Sequence, residues 1–209
     1  DHRHADDAAR QRVEVARDDR LDGDDRMTRR DHRVARQVRQ RGMAGMAMWT
    51  VMEWVKLGKP TTLGAASGAI AGLATITPAA GFVGPNAAII IGLIAGVVCF
   101  LAVNMKSRFK FDDSLDVVGI HGVGGITGTL LLGVFASKAV NPNGVDGLLA
   151  GNVAQLFKQL IGIGVVCVYA FVVSWIILKL VHAWMGLRIT EEAEHQGLDY
   201  TEHSETAYN

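Results

Sequence analysis

One stretch of the chain, Asp116–Gly128 (DVVGIHGVGGITG), sets a single titratable ring, His121, among glycines, valines and isoleucines. An imidazole can take up or release a proton near neutral pH, and in its neutral form it has one donor and one acceptor nitrogen. On a helix, the neighbours of His121 at i−4, i+3, i+4 and i+7 are Val117, Gly124, Gly125 and Gly128. That face has no bulk, so the ring lies against another backbone or beside a narrow lumen. Upstream, Asp113 can cap the N-terminus of the helix, and Asp116 falls three residues later, near the positive end of its dipole. Two readings of His121 stay open: a core histidine bonded to a carbonyl, or a group in a path. Hydrocarbon favours the second, because ionisable groups in a membrane are costly and mark pathways. A neutral imidazole there suits a small polar molecule such as ammonia or water, or a shared proton.

Other chemistry has little support. No nucleophile–base pair, metal-ligand cluster or phosphate loop is present, so neither an enzyme nor a cofactor or metal site is expected. Cys99 and Cys167 lie in apolar runs and read as packing residues. His182, His195 and His203 are scattered in or beside a polar tail.

The elements that must carry His121 follow from a change in composition. The 209 residues balance 21 Lys+Arg against 21 Asp+Glu, which gives no hint of a nucleic-acid partner. That balance conceals a split, because residues 1–42 hold 12 of the 14 arginines and contain no Phe, Trp, Tyr or Ile. Such a segment has too little apolar surface to offset chain ordering and is expected to be disordered. Its excess of Arg, Asp, Ala, Val and His without Lys also resembles a GC-rich gene translated out of frame. From Met43 the text becomes apolar blocks separated by short polar breaks. Residues 62–83, 86–105, 114–136 and 155–183 are each long enough to cross about 30 Å of hydrocarbon, and 43–57 reads as the end of a further span. The expected fold is an all-α polytopic membrane protein with a polar tail, 186–209. Counting about 1.5 Å per residue from Asp113 puts His121 about 12 Å along its helix, near the bilayer midplane.

Orientation follows from the cationic breaks. Lys56, Lys59, Lys106, Arg108, Lys110, Lys179 and Arg188 mark alternate ends, which places the C-terminus in the cytoplasm of a multi-pass cell-membrane protein. Glycines at spacing four (Gly64, Gly68 and Gly72; Gly92 and Gly96; Gly124 and Gly128) predict seams where backbones approach closely. Pro78 is expected to kink or end its helix near Thr77, whose hydroxyl can bond a neighbouring carbonyl.

Three runs carry a family resemblance: GKPTTLGAASGAIAGLATITPAAGFVGPNAAIIIGLIAG (58–96), DDSLDVVGIHGVGGITGTLLLGVFA (112–136) and GLRITEEAEHQGLDYTEHSETAYN (186–209). Together they resemble the Amt/Mep/Rh ammonium transporters, closest to the bacterial Amt branch, over about residues 46–209. The resemblance implies an eleven-span fold built as inverted halves, homotrimers in the cytoplasmic membrane, and a pore through each subunit with two facing histidines. It implies that His121 is the second of those histidines, with Val117 beside it on the lumen wall and Thr77 in the Thr-Pro of the eighth span. Asp113 and Asp116 match the acids at the start of the tenth span. The tail would meet a neighbouring subunit and a PII-type signalling protein. Counterparts of spans one to six and most of seven, including the first pore histidine, are absent. The expectation is therefore a truncated or frameshifted product that does not conduct ammonium by itself. The alternative is a non-transporting interaction fragment that binds trimer partners or a PII-type regulator.

Overall fold

The computed structural model describes residues 42–109 and 111–206, so the charged segment 1–42 lies outside the described residues except for Gly42. Every regular element among the described residues is helical. Four helices have the length and composition to cross a membrane: Thr62–Ala79, Pro85–Lys106, Val118–Phe135 and Val153–Met185. The chain forms two units, one ending at Leu160 and one covering Ile161–Asn209.

In the first unit, helix α1 (42–57) ends where Gly58, at φ 82°, turns its N–H back to the Trp54 carbonyl at 3.1 Å. Helix α2 (Thr62–Ile76) starts at Thr61, whose hydroxyl accepts from the Gly64 N–H at 2.9 Å. It tightens into a 3₁₀ turn at Thr77–Ala79, because Pro78 cannot donate to the α ladder. Thr77 donates its hydroxyl to the Leu73 carbonyl at 2.7 Å. Helix α3 (Pro85–Phe109) begins on a proline, whose missing N–H would have no partner in a first turn anyway.

Close backbone approach holds α1, α2 and α3 together. A β-carbon at Gly45 would lie 2.5 Å from the Gly68 carbonyl oxygen, and one at Gly96 would lie 2.8 Å from the Gly45 oxygen. Only glycine fits these crossings, and dispersion over the touching backbones replaces the hydrophobic force that lipid cannot supply. Behind them, Trp49 meets Phe100 edge to face, with centroids 5.5 Å apart, in a buried cluster with Ala71, Cys99 and Ile120. A second cluster around Ile76, Val83 and Ile91 packs against Leu131, Leu132 and Phe135.

The fourth span differs from an α-helix over 114–136. Asp113 to Asp116 form a turn, with the Asp116 N–H donating to the Asp113 carbonyl at 3.2 Å. Val118–Gly122 is a π turn, and helix α4 continues through Val123–Phe135. Asp116 sits at φ 57°, which α-helical residues do not adopt, so the helix starts after it rather than before it. After a loop, helix α5 (Val153–Met185) runs 33 residues, or about 50 Å at 1.5 Å per residue, more than the hydrocarbon requires.

In the second unit, α5 carries Val165, Val168, Tyr169, Phe171 and Trp175 on its exterior. Apolar exposure on this scale suits lipid rather than water. Gly186, at φ 76°, follows the end of the helix. Short helices α6 (Glu191–Gln196) and α7 (Leu198–His203) follow, and Thr190 caps α6 through the Ala193 N–H at 3.3 Å.

Candidate functional site

Around the π turn, Asp113 uses both carboxylate oxygens, accepting from the N–H groups of Val117 at 2.9 Å and Val118 at 3.0 Å. These are two of the donors that a helix start leaves without partners. Lys106 donates to the Asp113 carbonyl at 2.7 Å and pairs with the Asp116 carboxylate. Thus α3 holds the entry turn from one side. Asp116 does not cap the first turn from within; it accepts from Ile120 through its backbone oxygen, at 2.9 Å, and gives its carboxylate to Lys106.

The π turn closes with the Val123 N–H donating to the Val118 carbonyl, five residues back. Such single turns widen a helix locally and recur at functional sites. His121 lies within it, exposed, and its ring has no hydrogen-bond partner among the described residues. Val117, 48% exposed, lies on the open surface too. A β-carbon at Gly125 would meet nothing within 4 Å. The small residues therefore divide between two faces. Gly119 presses on Val103, while Gly124 and Gly128 press on Thr75; Gly125 shares the open face with His121.

The helix start at Val117 removes the basis for counting depth from Asp113. Depth follows instead from α3. The Cys99 thiol donates to the Ile120 carbonyl at 3.8 Å, and Cys99 stands ten residues, about 15 Å, inside the Phe109 end. His121 is thus level with the middle of α3, although it lies only one turn into its own helix. Thr77 is exposed and satisfied by Leu73, and no hydrogen bond links it to His121 among the described residues. An apolar cavity of about 440 Å³, walled by Leu101, Met105, Phe109, Phe111 and Val118, does not include His121.

The family model described as Ammonium Transporter Family matches residues 39–208. The chain belongs to the ammonium transporter family. An ammonium transporter of Bacillus subtilis is 51% identical over 166 residues, which are 79% of this chain and 41% of that protein. The crystal structure of Saccharomyces cerevisiae Mep2 superposes with a TM-score of 0.70 at 37% identity, covering 75% of this chain and 36% of Mep2. A structure described as a Sensor Amt Protein matches with a TM-score of 0.68 at 25% identity, over 81% of this chain and 41% of its own. The chain spans about two-fifths of the length of these ammonium transporter relatives. Within the family fold it is an all-helical, multi-pass membrane segment.

Sequence reasoning passed over Glu53. It is 6% exposed, and its carboxylate accepts from the Thr61 N–H at 2.8 Å and from the Thr61 hydroxyl at 3.0 Å. A β-carbon at Gly64 would overlap that carboxylate. The signal was there, an acid inside an apolar block eight residues before a threonine cap, but only the folded turn brings the two together.

Proposed function

We propose that this chain serves transmembrane movement of ammonium or ammonia, contributing the wall of the path that bears His121 at mid-membrane depth. The observation that carries this reading is an imidazole with no hydrogen-bond partner among the described residues, on a π turn and on a face kept free of bulk at Gly125. Burying such a ring in lipid without partners is costly, whereas a small polar guest can use both of its nitrogens. Val117 and Thr77 would line the same path, and Asp113 and Asp116 would hold its pore helix. The open face means that the described residues do not enclose a path by themselves. Transport then needs a second wall, and this chain alone does not conduct.

The same reading places the protein in the cell membrane as a homotrimer, with Lys106, Arg108 and Arg188 on the cytoplasmic side. The ordered tail would meet a PII-type protein there. A non-transporting role, joining trimers or binding that regulator, is favoured by one feature, the bidentate Arg188–Glu194 pair that shapes the tail.

Proteoliposomes test the proposal. Ammonium flux should be absent with this chain alone and should appear when a separate polypeptide supplies the remaining spans of a relative. His121→Ala in that assembly should slow it about tenfold or more, which is about 1.4 kcal/mol in a barrier. Undiminished flux in the His121→Ala assembly would remove His121 from the path. Flux from the chain alone would overturn the need for a second wall.

A further inference from the structure

We propose that Cys99 and Thr75 act as positioning residues for His121, forming a hydrogen-bonded chain that holds the π turn in register. The Cys99 thiol is fully buried and lies 3.8 Å from the Ile120 carbonyl, which belongs to the π turn next to His121. Thr75 is also fully buried, and its hydroxyl lies 4.0 Å from the same sulfur. With the thiol hydrogen directed to the carbonyl, the hydroxyl is left as donor to the sulfur. The chain therefore runs from α2 through α3 into the π turn and, among the described residues, makes no hydrogen bond to another polar side chain.

A π turn shifts the backbone ladder by one residue, and a partner from outside the helix can hold that register; here the Cys99 thiol donates to the Ile120 carbonyl. In hydrocarbon that partner cannot be water. The space around the contact is fitted to it. A β-carbon at Gly124 would lie 2.9 Å from the Thr75 hydroxyl and 3.2 Å from the Cys99 sulfur, and one at Gly119 would lie 2.7 Å from Val103. Glycine at both positions lets the π turn come down onto the two donors. If the turn relaxed to an α-helix, every residue on one side of the shift would rotate by about 100°, carrying His121 off the open face. The role of His121 in a path rests on the proposed function; the anchoring of its turn does not.

The test is nuclear magnetic resonance of the whole chain in lipid nanodiscs, which reads the turn without requiring transport. Alanine and serine at position 99 differ only by a hydroxyl. Cys99→Ala should shift the backbone amides of 118–123 and the His121 ring nitrogens. It should also speed hydrogen exchange at those amides about fivefold, as expected for one lost hydrogen bond. Cys99→Ser should restore both readouts. Thr75→Val, which keeps the shape and removes the hydroxyl, should move the same signals, and Thr75→Ser should leave them in place. Equal shifts in Cys99→Ala and Cys99→Ser would mean that packing alone is sensed and would overturn the proposal. So would an unchanged His121 ring in both Cys99→Ala and Thr75→Val. A variant that loses its global helicity is replaced by the other donor's variant, so the comparison survives a failure to fold. Absence of ammonium flux in the unaltered reconstituted assembly, with the anchoring intact, would count against the path alone.

Discussion

Asp116 combines two demands that few residues meet. Its backbone is left-handed at φ 57°, and its carboxylate pairs with a half-buried Lys106. Aspartate and asparagine tolerate that conformation better than alanine does. Asp116→Ala should therefore destabilise the fold by about 1–2 kcal/mol and Asp116→Asn by about half of that. Tryptophan fluorescence during unfolding in sodium dodecyl sulfate measures both, and a larger loss in the asparagine variant would contradict the backbone argument. Glu53 works by satisfying Thr61 rather than by charge. Glu53→Gln, which keeps an acceptor, should cost less than Glu53→Ala, which strands the Thr61 N–H at about 1–3 kcal/mol. The same unfolding assay separates them.

The glycines of α4 make a sharp contrast at the scale of elements. A β-carbon at Gly128 would lie 1.8 Å from the Thr75 carbonyl oxygen, whereas one at Gly125 meets nothing within 4 Å. Gly128→Ala should force α2 and α4 apart and cost about 3 kcal/mol or more. Gly125→Ala should leave this chain's stability equal or up to about 1 kcal/mol higher through helix propensity. Thermal denaturation in detergent reads the pair, and equal behaviour would mean that the seam is not where the backbone places it. In the tail, the hydrogen bond from Arg188 holds the Glu194 carboxyl below the usual carboxylate range. Slight burial opposes this, and the charges of Arg188 and His195 add to it. A depressed folded value contributes stability above the unfolded value of about 4.3 and loses it as pH falls through the lower one. Acidification should therefore release the Arg188 Nε resonance from its paired position over that acidic window, and Glu194→Gln should abolish the titration.

Topology belongs to the whole molecule. The proposed orientation has the cationic loops inside, and on it Asn143→Cys should react with an impermeant maleimide from outside intact cells, and Ser204→Cys only in inverted vesicles. Cys99 is buried and Cys167 lies within the apolar α5, so neither should react from either side. Labelling of both new cysteines from one face would refute the alternating arrangement.

Much of this architecture is written locally. A continuous apolar block of about 20 residues reads as a spanning helix, which satisfies every backbone group within the segment itself. The four spans, the Pro78 stop and the seams at Gly68 and Gly128 follow from composition and spacing alone. The acid cap at Asp113 is equally local. What only the tertiary structure decided depends on approach between separate elements. Gly45 against Gly68 and Gly96, Glu53 over Thr61, and Lys106 on Asp116 are of this kind. The π turn belongs with them. A strict 3.6-residue count put Gly124 and Gly125 together beside His121, but the extra residue and the donors from α2 and α3 send one inward and leave the other open. Periodicity encodes which residues share a face of an ideal helix; it carries no information on where a partner's hydrogen-bond donor shifts that helix by one residue.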